Sequence, residues 1–135
     1  MKLNSAQRVG IFLVIFILSL FAYGYLKTNS LKANYKKTIG VVEKYNRPGG
    51  PGKANIIDIT YGYMINGKKY TDVMGYDATI LSRDLWEQRI IGHPVLVLYD
   101  TTNYGNSEAL ILPNDYMRHK MSYPDSLQWI LSQNQ

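Results

Sequence analysis

Residues 56–77 decide the fold of this protein, and they read IIDITYGYMINGKKYTDVMGYD. At their centre, Asn66-Gly67 is the preferred pair for a two-residue type I′ hairpin turn, because both positions require a positive φ. The runs on either side are rich in Ile, Tyr, Thr and Val, which favour strands. The stretch therefore predicts a β-hairpin together with its register, in which Tyr63 lies opposite Tyr70.

The predicted register sorts the hairpin side chains onto two faces, since alternate residues of a strand point to opposite sides. A slip of one residue would expose the aromatic face, so we expect the register to be firm. Asp72 falls on that face opposite Tyr61. It is either a functional carboxylate with a shifted pKa or, as we prefer, a carboxylate bonded to a tyrosine hydroxyl or lying at the rim. The aromatic face carries Ile57, Ile59, Tyr61, Tyr63, Tyr70, Met74 and Tyr76, and the other face carries Asp58, Thr60, Gly62, Lys69, Thr71, Val73 and Gly75.

Three more strands are predicted around the hairpin. Residues 38–45 form a first strand, residues 95–99 a continuous apolar and central strand, and residues 109–112 a short last strand. Residues 82–89 contain helix formers behind a Ser cap, which predicts a short helix or turn before strand four. The fold class is therefore a small mainly-β domain of about five antiparallel strands, arranged as a meander or a partly closed barrel.

The C-terminal residues predict a short helix. Pro124 and Asp125 are typical of a helix start, and Leu127, Ile130 and Leu131 share one helical face. We expect this helix to dock on the sheet, and a helix that binds a partner or a membrane surface is the alternative.

The charge of the chain is unevenly distributed. Its 135 residues carry a net charge of +5 and a pI near 9.3. The first 53 residues hold nine Lys/Arg and one acid, a net +8, whereas the rest hold six and nine, a net −3. Because the β domain is acidic, nucleic-acid binding is not expected. The absence of cysteine excludes a disulfide scaffold, a zinc–thiolate site and a cysteine nucleophile.

Residues 9–26 read VGIFLVIFILSLFAYGYL and carry no charge. Eighteen helical residues rise about 27 Å, close to the roughly 30 Å hydrocarbon core of a bilayer. Tyr23 and Tyr25 lie where an aromatic belt forms. An uncleaved transmembrane anchor is favoured over a cleaved signal peptide, because Leu31 is too large for the small-residue site before Ala33. A buried soluble helix is the third alternative.

The chain thus divides into five parts. Lysines after the anchor either contact anionic lipid headgroups or form a solvated charge run. The lipid-headgroup candidates are Lys27, Lys32, Lys36 and Lys37. The parts are an N-terminal tail (1–8), a transmembrane anchor (9–26), a basic stalk (27–37), a β domain (38–112) and a C-terminal extension (113–135).

Three segments together resemble the family DUF3592 of small membrane-anchored β domains, which are common in bacteria. They are the first strand TIGVV (38–42), the element GKKY (67–70), and GHPVLVLYDTTNY (92–104). In the last segment, Asp100 and Asn103 can cap a turn through their own side chains. Flanking charges alone leave the orientation of the anchor open. The resemblance implies a single-pass protein of the bacterial cytoplasmic membrane with an extracytoplasmic domain, and it carries no catalytic residues.

The sequence gives little indication of a phosphate-binding, metal-binding or catalytic site. The glycine-rich loop 47–53 precedes a strand, so it does not resemble a phosphate cradle. His119 lies between Met117 and Met121, but Arg118 and Lys120 oppose a metal ion. No nucleophile motif is present. We therefore expect no enzyme activity, no cofactor and no metal.

The preferred function is binding of another protein, as an accessory subunit of a bacterial envelope complex or an immunity-type partner. Tyrosine suits interfaces, because it offers contact area at low entropic cost. The alternative is a small-ligand or lipid-headgroup binding module at the membrane surface, and an enzyme ranks third. The candidate contact residues are Tyr45, Arg47, Lys53, Tyr61, Tyr63, Tyr70, Tyr104 and Trp129.

Overall fold

The structure is a computed structural model that describes residues 5–47, 56–77 and 89–131. Lys53 and, apart from Arg89, the short helix or turn predicted at residues 82–89 lie outside the described residues. The elements are α1 (Ser5–Asn34), β1 (Tyr35–Asn46), β2 (Ile56–Ile65), β3 (Lys68–Asp77), β4 (Pro94–Asp100), β5 (Ser107–Leu110), α2 (Pro113–Arg118) and a 3-10 helix (Asp125–Ile130).

The hairpin between β2 and β3 confirms its predicted register. Tyr63 pairs with Tyr70 and Tyr61 with Asp72. At the turn, φ is 52° at Asn66 and 76° at Gly67, as a type I′ turn requires. Turn chemistry alone therefore set which side chains share a face.

The five strands form one antiparallel sheet in the order β3-β2-β1-β4-β5. The predicted meander is wrong, because β4 pairs with β1 and makes β1 the middle strand. The sheet curls into a half-barrel, and side chains bridge its two edge strands. Tyr76 Oη donates to the Ala109 carbonyl at 3.3 Å, and Ser107 Oγ donates to Asp72 at 3.2 Å. The partly closed barrel is confirmed in this form.

The aromatic face of the hairpin lines the inside of the half-barrel. Ile57, Ile59, Tyr61, Tyr63 and Tyr76 are all at most 7% exposed. Gly62 apart, the opposite face is half-buried or exposed. Each fully buried apolar side chain contributes about 1.5–3 kcal/mol, so this face supplies a large part of the stability of the domain.

Residues 27–37 differ from the predicted stalk. Helix α1 continues to Asn34, and β1 begins at Tyr35 without a linker. Lys, Leu and Ala in this segment are good helix formers, and Leu31 is buried against the domain. Within the described residues, one helix, Arg8–Asn34, is long and apolar enough to cross a membrane.

The C-terminal extension packs on the sheet through two short helices. Sequence reasoning missed α2, whose Asp115 carboxylate accepts hydrogen bonds from the backbone N–H groups of Ile111 and Leu112. The predicted C-terminal helix is a 3-10 helix. Leu127 and Ile130 are buried, because residues three apart align in a 3-10 helix. Leu131 does not follow them and is 39% exposed.

Candidate functional site

Two of the predicted contact residues belong to the core. Tyr61 and Tyr63 are 1% and 2% exposed. Tyr63 Oη donates to the Tyr104 carbonyl, and Tyr61 Oη lies 3.0 Å from Ser107 Oγ. Burial raises the pKa of both phenols above the ordinary value of 10.0. These two rings are therefore not available to a partner, which corrects the assignment of this tyrosine-rich face to an interaction surface.

The remaining candidates do not form one surface. Tyr70 and Tyr104 are half-buried and meet edge to face, with ring centroids 5.9 Å apart. Trp129 lies elsewhere, with its ring 5.7 Å from that of His93. Tyr45 packs against the core, and Arg47 is exposed at the end of the described part of its loop.

Asp72 lies at the rim of the half-barrel. Its carboxylate accepts the hydrogen bond from Ser107, whose hydroxyl also contacts Tyr61. This supports the preferred interpretation of Asp72 as a structural carboxylate at the rim. The Ser107 hydroxyl lies between the carboxylate and the Tyr61 hydroxyl.

An apolar groove lies beside β1 and β4 and is closed on one side by the C-terminal extension. Its volume is about 620 Å³. Ile39, which pairs with Leu96 in the sheet, is 63% exposed. We call this site the outer groove, and two lysines are among its lining residues. The lining includes Lys37, Ile39, Pro94, Leu96, Lys120 and Met121.

The end of α1 is held by the loop between β4 and β5. Asp100 is 1% exposed and accepts hydrogen bonds from the Ser30 hydroxyl and from Thr102 N–H, the latter at 2.8 Å. Asn106 Nδ2 donates to the Lys27 carbonyl at 2.8 Å. Thr101 N–H donates to the Asn34 carbonyl at 3.1 Å. Thr101 thereby satisfies the Asn34 carbonyl, which belongs to the last turn of the helix and has no donor within it.

Asp100 has an unusual electrostatic environment. Burial by itself would raise the pKa of its carboxyl. Hydrogen bonds from Ser30, Thr102 and Asn106 stabilise the charged form, and the net result lowers the pKa from 3.8 to about 2. The turn-capping role predicted for Asp100 is confirmed, and Asn103 likewise accepts from Gly105 N–H at 3.3 Å. The contact of Asp100 with α1 could not be predicted from the sequence.

A charged network surrounds the end of α2. Arg118 Nη2 contacts Glu108 at 2.8 Å and Asp115 at 2.7 Å. His119 Nε2 lies 3.0 Å from the second Glu108 oxygen. Within residues 5–47, 56–77 and 89–131, no group of three His, Asp or Glu side chains could hold a metal ion.

The lysines predicted to contact lipid separate in the structure. Lys32 lines a cleft together with Arg118 and Lys120, whereas Lys37 lines the outer groove. Lys27 and Lys36 are exposed.

Known protein families, curated proteins and solved structures yield no match to this chain. The resemblance to DUF3592 therefore stays a prediction.

Proposed function

We propose that this protein is a non-enzymatic, single-pass membrane protein whose β domain binds a segment of another protein. The observation that carries the proposal is the outer groove. On the surface of a soluble domain, exposed apolar side chains are usually isolated from one another. Adjacent apolar side chains in a concave site are typical of a binding site. Ile39, Pro94 and Leu96 are adjacent in the sheet, since Ile39 pairs with Leu96 and Val41 with Pro94.

The charge around the groove indicates what kind of segment fits. Lys37 and Lys120 are exposed and line the groove together with the apolar side chains. An amphipathic segment with apolar anchors and flanking acidic residues would match both features. Such a role suits an accessory subunit of a bacterial envelope complex or an immunity-type partner.

The proposal places the domain at a membrane. Helix α1 has an uncharged run of 18 residues, 9–26, enough to span the hydrocarbon core. We propose that it anchors the protein in the bacterial cytoplasmic membrane, with the β domain outside the cytoplasm. This orientation rests on the resemblance to DUF3592.

The test is photo-crosslinking of the full chain in its native membrane. A photoreactive amino acid replaces Met64, which is 53% exposed and follows Tyr63, the partner of Gly40 in β1. The groove variant is Ile39→Asp. A buried charge in an apolar contact typically weakens binding by roughly ten-fold or more. We therefore expect one defined protein to be crosslinked, and its yield to fall by about that factor in the groove variant.

The matched control is Val73→Asp. This side chain of β3 is 56% exposed, compared with 63% for Ile39, and does not line the groove. Its crosslinking yield should equal that of the unchanged chain. Equal yields for the Ile39 and Val73 variants, or crosslinks to a scatter of unrelated proteins, would contradict the proposal.

A further inference from the structure

A second cavity lies where α1 meets the domain. We call it the junction cleft, and its volume is about 550 Å³. The end of α1, the first residue of β1 and the end of α2 form its walls. Its lining residues are Thr28, Lys32, Tyr35, Glu108, Arg118, His119 and Lys120.

The position of the junction cleft along α1 sets its depth relative to a bilayer. The uncharged run of the helix ends at Leu26. At 1.5 Å per residue, Thr28 lies about 3 Å and Lys32 about 9 Å beyond it. The polar headgroup layer on each side of a bilayer is about 5–7 Å thick. With α1 in a membrane, the cleft therefore opens at the level of the lipid phosphates.

The charges in the junction cleft favour an anion. Lys32, Arg118 and Lys120 contribute three positive charges. Glu108 lines the cleft and contacts Arg118, and Asp115 contacts the same Arg118 Nη2. Two carboxylates against three cations leave a net positive charge. Both lysines are exposed, so their ammonium groups can turn toward a ligand.

The backbone at Lys120 adds a separate observation. Lys120 N–H donates to the Met117 carbonyl and Met121 N–H to the Tyr116 carbonyl, both at 3.0 Å. This is a Schellman motif, which ends α2 with Lys120 in the left-handed region, at a φ of 55°. Glycine is the preferred residue there, because a side chain is disfavoured at positive φ. A lysine at this position therefore carries a conformational cost, and it places a cation in the cleft.

We propose that the junction cleft binds the phosphate of an anionic phospholipid, with Lys32, Arg118 and Lys120 as the contacting residues. Binding would hold the β domain in one orientation on the membrane. The hydrogen bonds between the end of α1 and the β4–β5 loop support this, because they hold the helix segment that carries Lys32 against the domain. The junction cleft shares Lys120 with the outer groove, but Lys32 and Arg118 line only the cleft. The effect of the Lys32 variant on lipid affinity therefore tests the cleft independently of protein binding in the groove.

The test is native mass spectrometry of the full chain in non-ionic detergent micelles. The chain is titrated with phosphatidylglycerol, with phosphatidylcholine, or with inorganic phosphate. We expect one phosphatidylglycerol to bind selectively. Each lysine near an anionic headgroup is worth about five-fold in affinity, so Lys32→Gln and Lys120→Gly should each lower the affinity by about that factor.

Stability measurements separate binding from folding. Lys120→Gly should leave the denaturation midpoint unchanged or raise it, since glycine relieves the positive φ. The matched control is Lys44→Gln, which removes an exposed lysine from the far end of β1 and should not change lipid affinity. Equal binding of the two phospholipids, saturation by inorganic phosphate alone, or equal effects of the Lys32 and Lys44 variants would overturn the proposal.

Discussion

Individual residues of the sheet are restricted by how closely its strands approach. At Gly40, a Cβ atom would lie 2.7 Å from Val97 Cγ2 and 2.8 Å from the Gly62 carbonyl oxygen. The second atom belongs to the backbone of β2 and cannot turn away. Position 40 therefore requires glycine for steric reasons, although glycine in a strand interior is otherwise unfavourable.

We predict that Gly40→Ala lowers the free energy of unfolding by about 1–3 kcal/mol, the typical cost of overpacking. Denaturant unfolding of the full chain in detergent micelles, followed by tryptophan fluorescence, measures this loss. Gly75→Ala is the matched control. Its Cβ would meet its nearest side-chain atom at 3.5 Å, and we expect a change within about 0.5 kcal/mol. A similar loss in both variants would contradict the steric argument.

Among the elements, α1 and the β4–β5 loop are joined by contacts between residues that are far apart in the sequence. The loop donates the Asn106 side-chain N–H to the Lys27 carbonyl and the Thr101 hydroxyl to the Asn34 carbonyl, and α1 donates the Ser30 hydroxyl to the buried Asp100. The contacts of Asp100 and Asn106 satisfy polar groups that burial would otherwise leave without hydrogen bonds. The helix is thereby fixed to the domain.

We predict that Asp100 makes this junction sensitive to acid. Its folded-state pKa of about 2 is below the ordinary value of 3.8. The stabilising contribution is therefore fully present above about pH 4 and is lost as the pH falls toward 2. The measurement is unfolding of the unchanged chain and of Asp100→Asn between pH 6 and about pH 2. The difference in stability between them should shrink on acidification, and a constant difference would contradict the prediction.

The elements also show what local sequence can predict. Two features of the 56–77 stretch, the Asn66-Gly67 turn and the alternation of side chains, act over a few residues and predicted the hairpin and its register. The ends of β5 were harder to predict: the sequence predicted a strand over residues 109–112, and the strand is Ser107–Leu110. Leu112 instead precedes α2, and Asp115 caps that turn. The stalk was misjudged because contacts with a distant loop stabilise the last turns of α1.

At the scale of the whole molecule, the positive charge lies beside the anchor and the acidic surplus lies in the domain. Lysines on both flanks of an apolar helix leave its orientation undetermined by charge counts. The junction cleft brings Arg118 and Lys120 beside Lys32. The basic surface next to the anchor is therefore larger than the linear sequence indicates.

We predict that the C-terminus lies outside the cytoplasm. Alkaline phosphatase and a fluorescent protein that folds only in the cytoplasm serve as a pair of C-terminal reporters. The proposed orientation requires an active phosphatase and a dark fluorescent protein. The reverse pattern would contradict the extracytoplasmic domain. It would not contradict the proposal that α1 is a membrane anchor.

The sequence by itself determined the apolar helix, the hairpin and its register, and which side chains share the aromatic face, because these depend on composition, turn chemistry and a two-residue period. Tertiary structure decided the neighbours of β1, the burial of Tyr61 and Tyr63 as core, and the contact between Ser30 and Asp100. It also created the outer groove and the junction cleft. Both sites join residues from distant parts of the chain, and such encounters leave no local pattern from which they could be predicted.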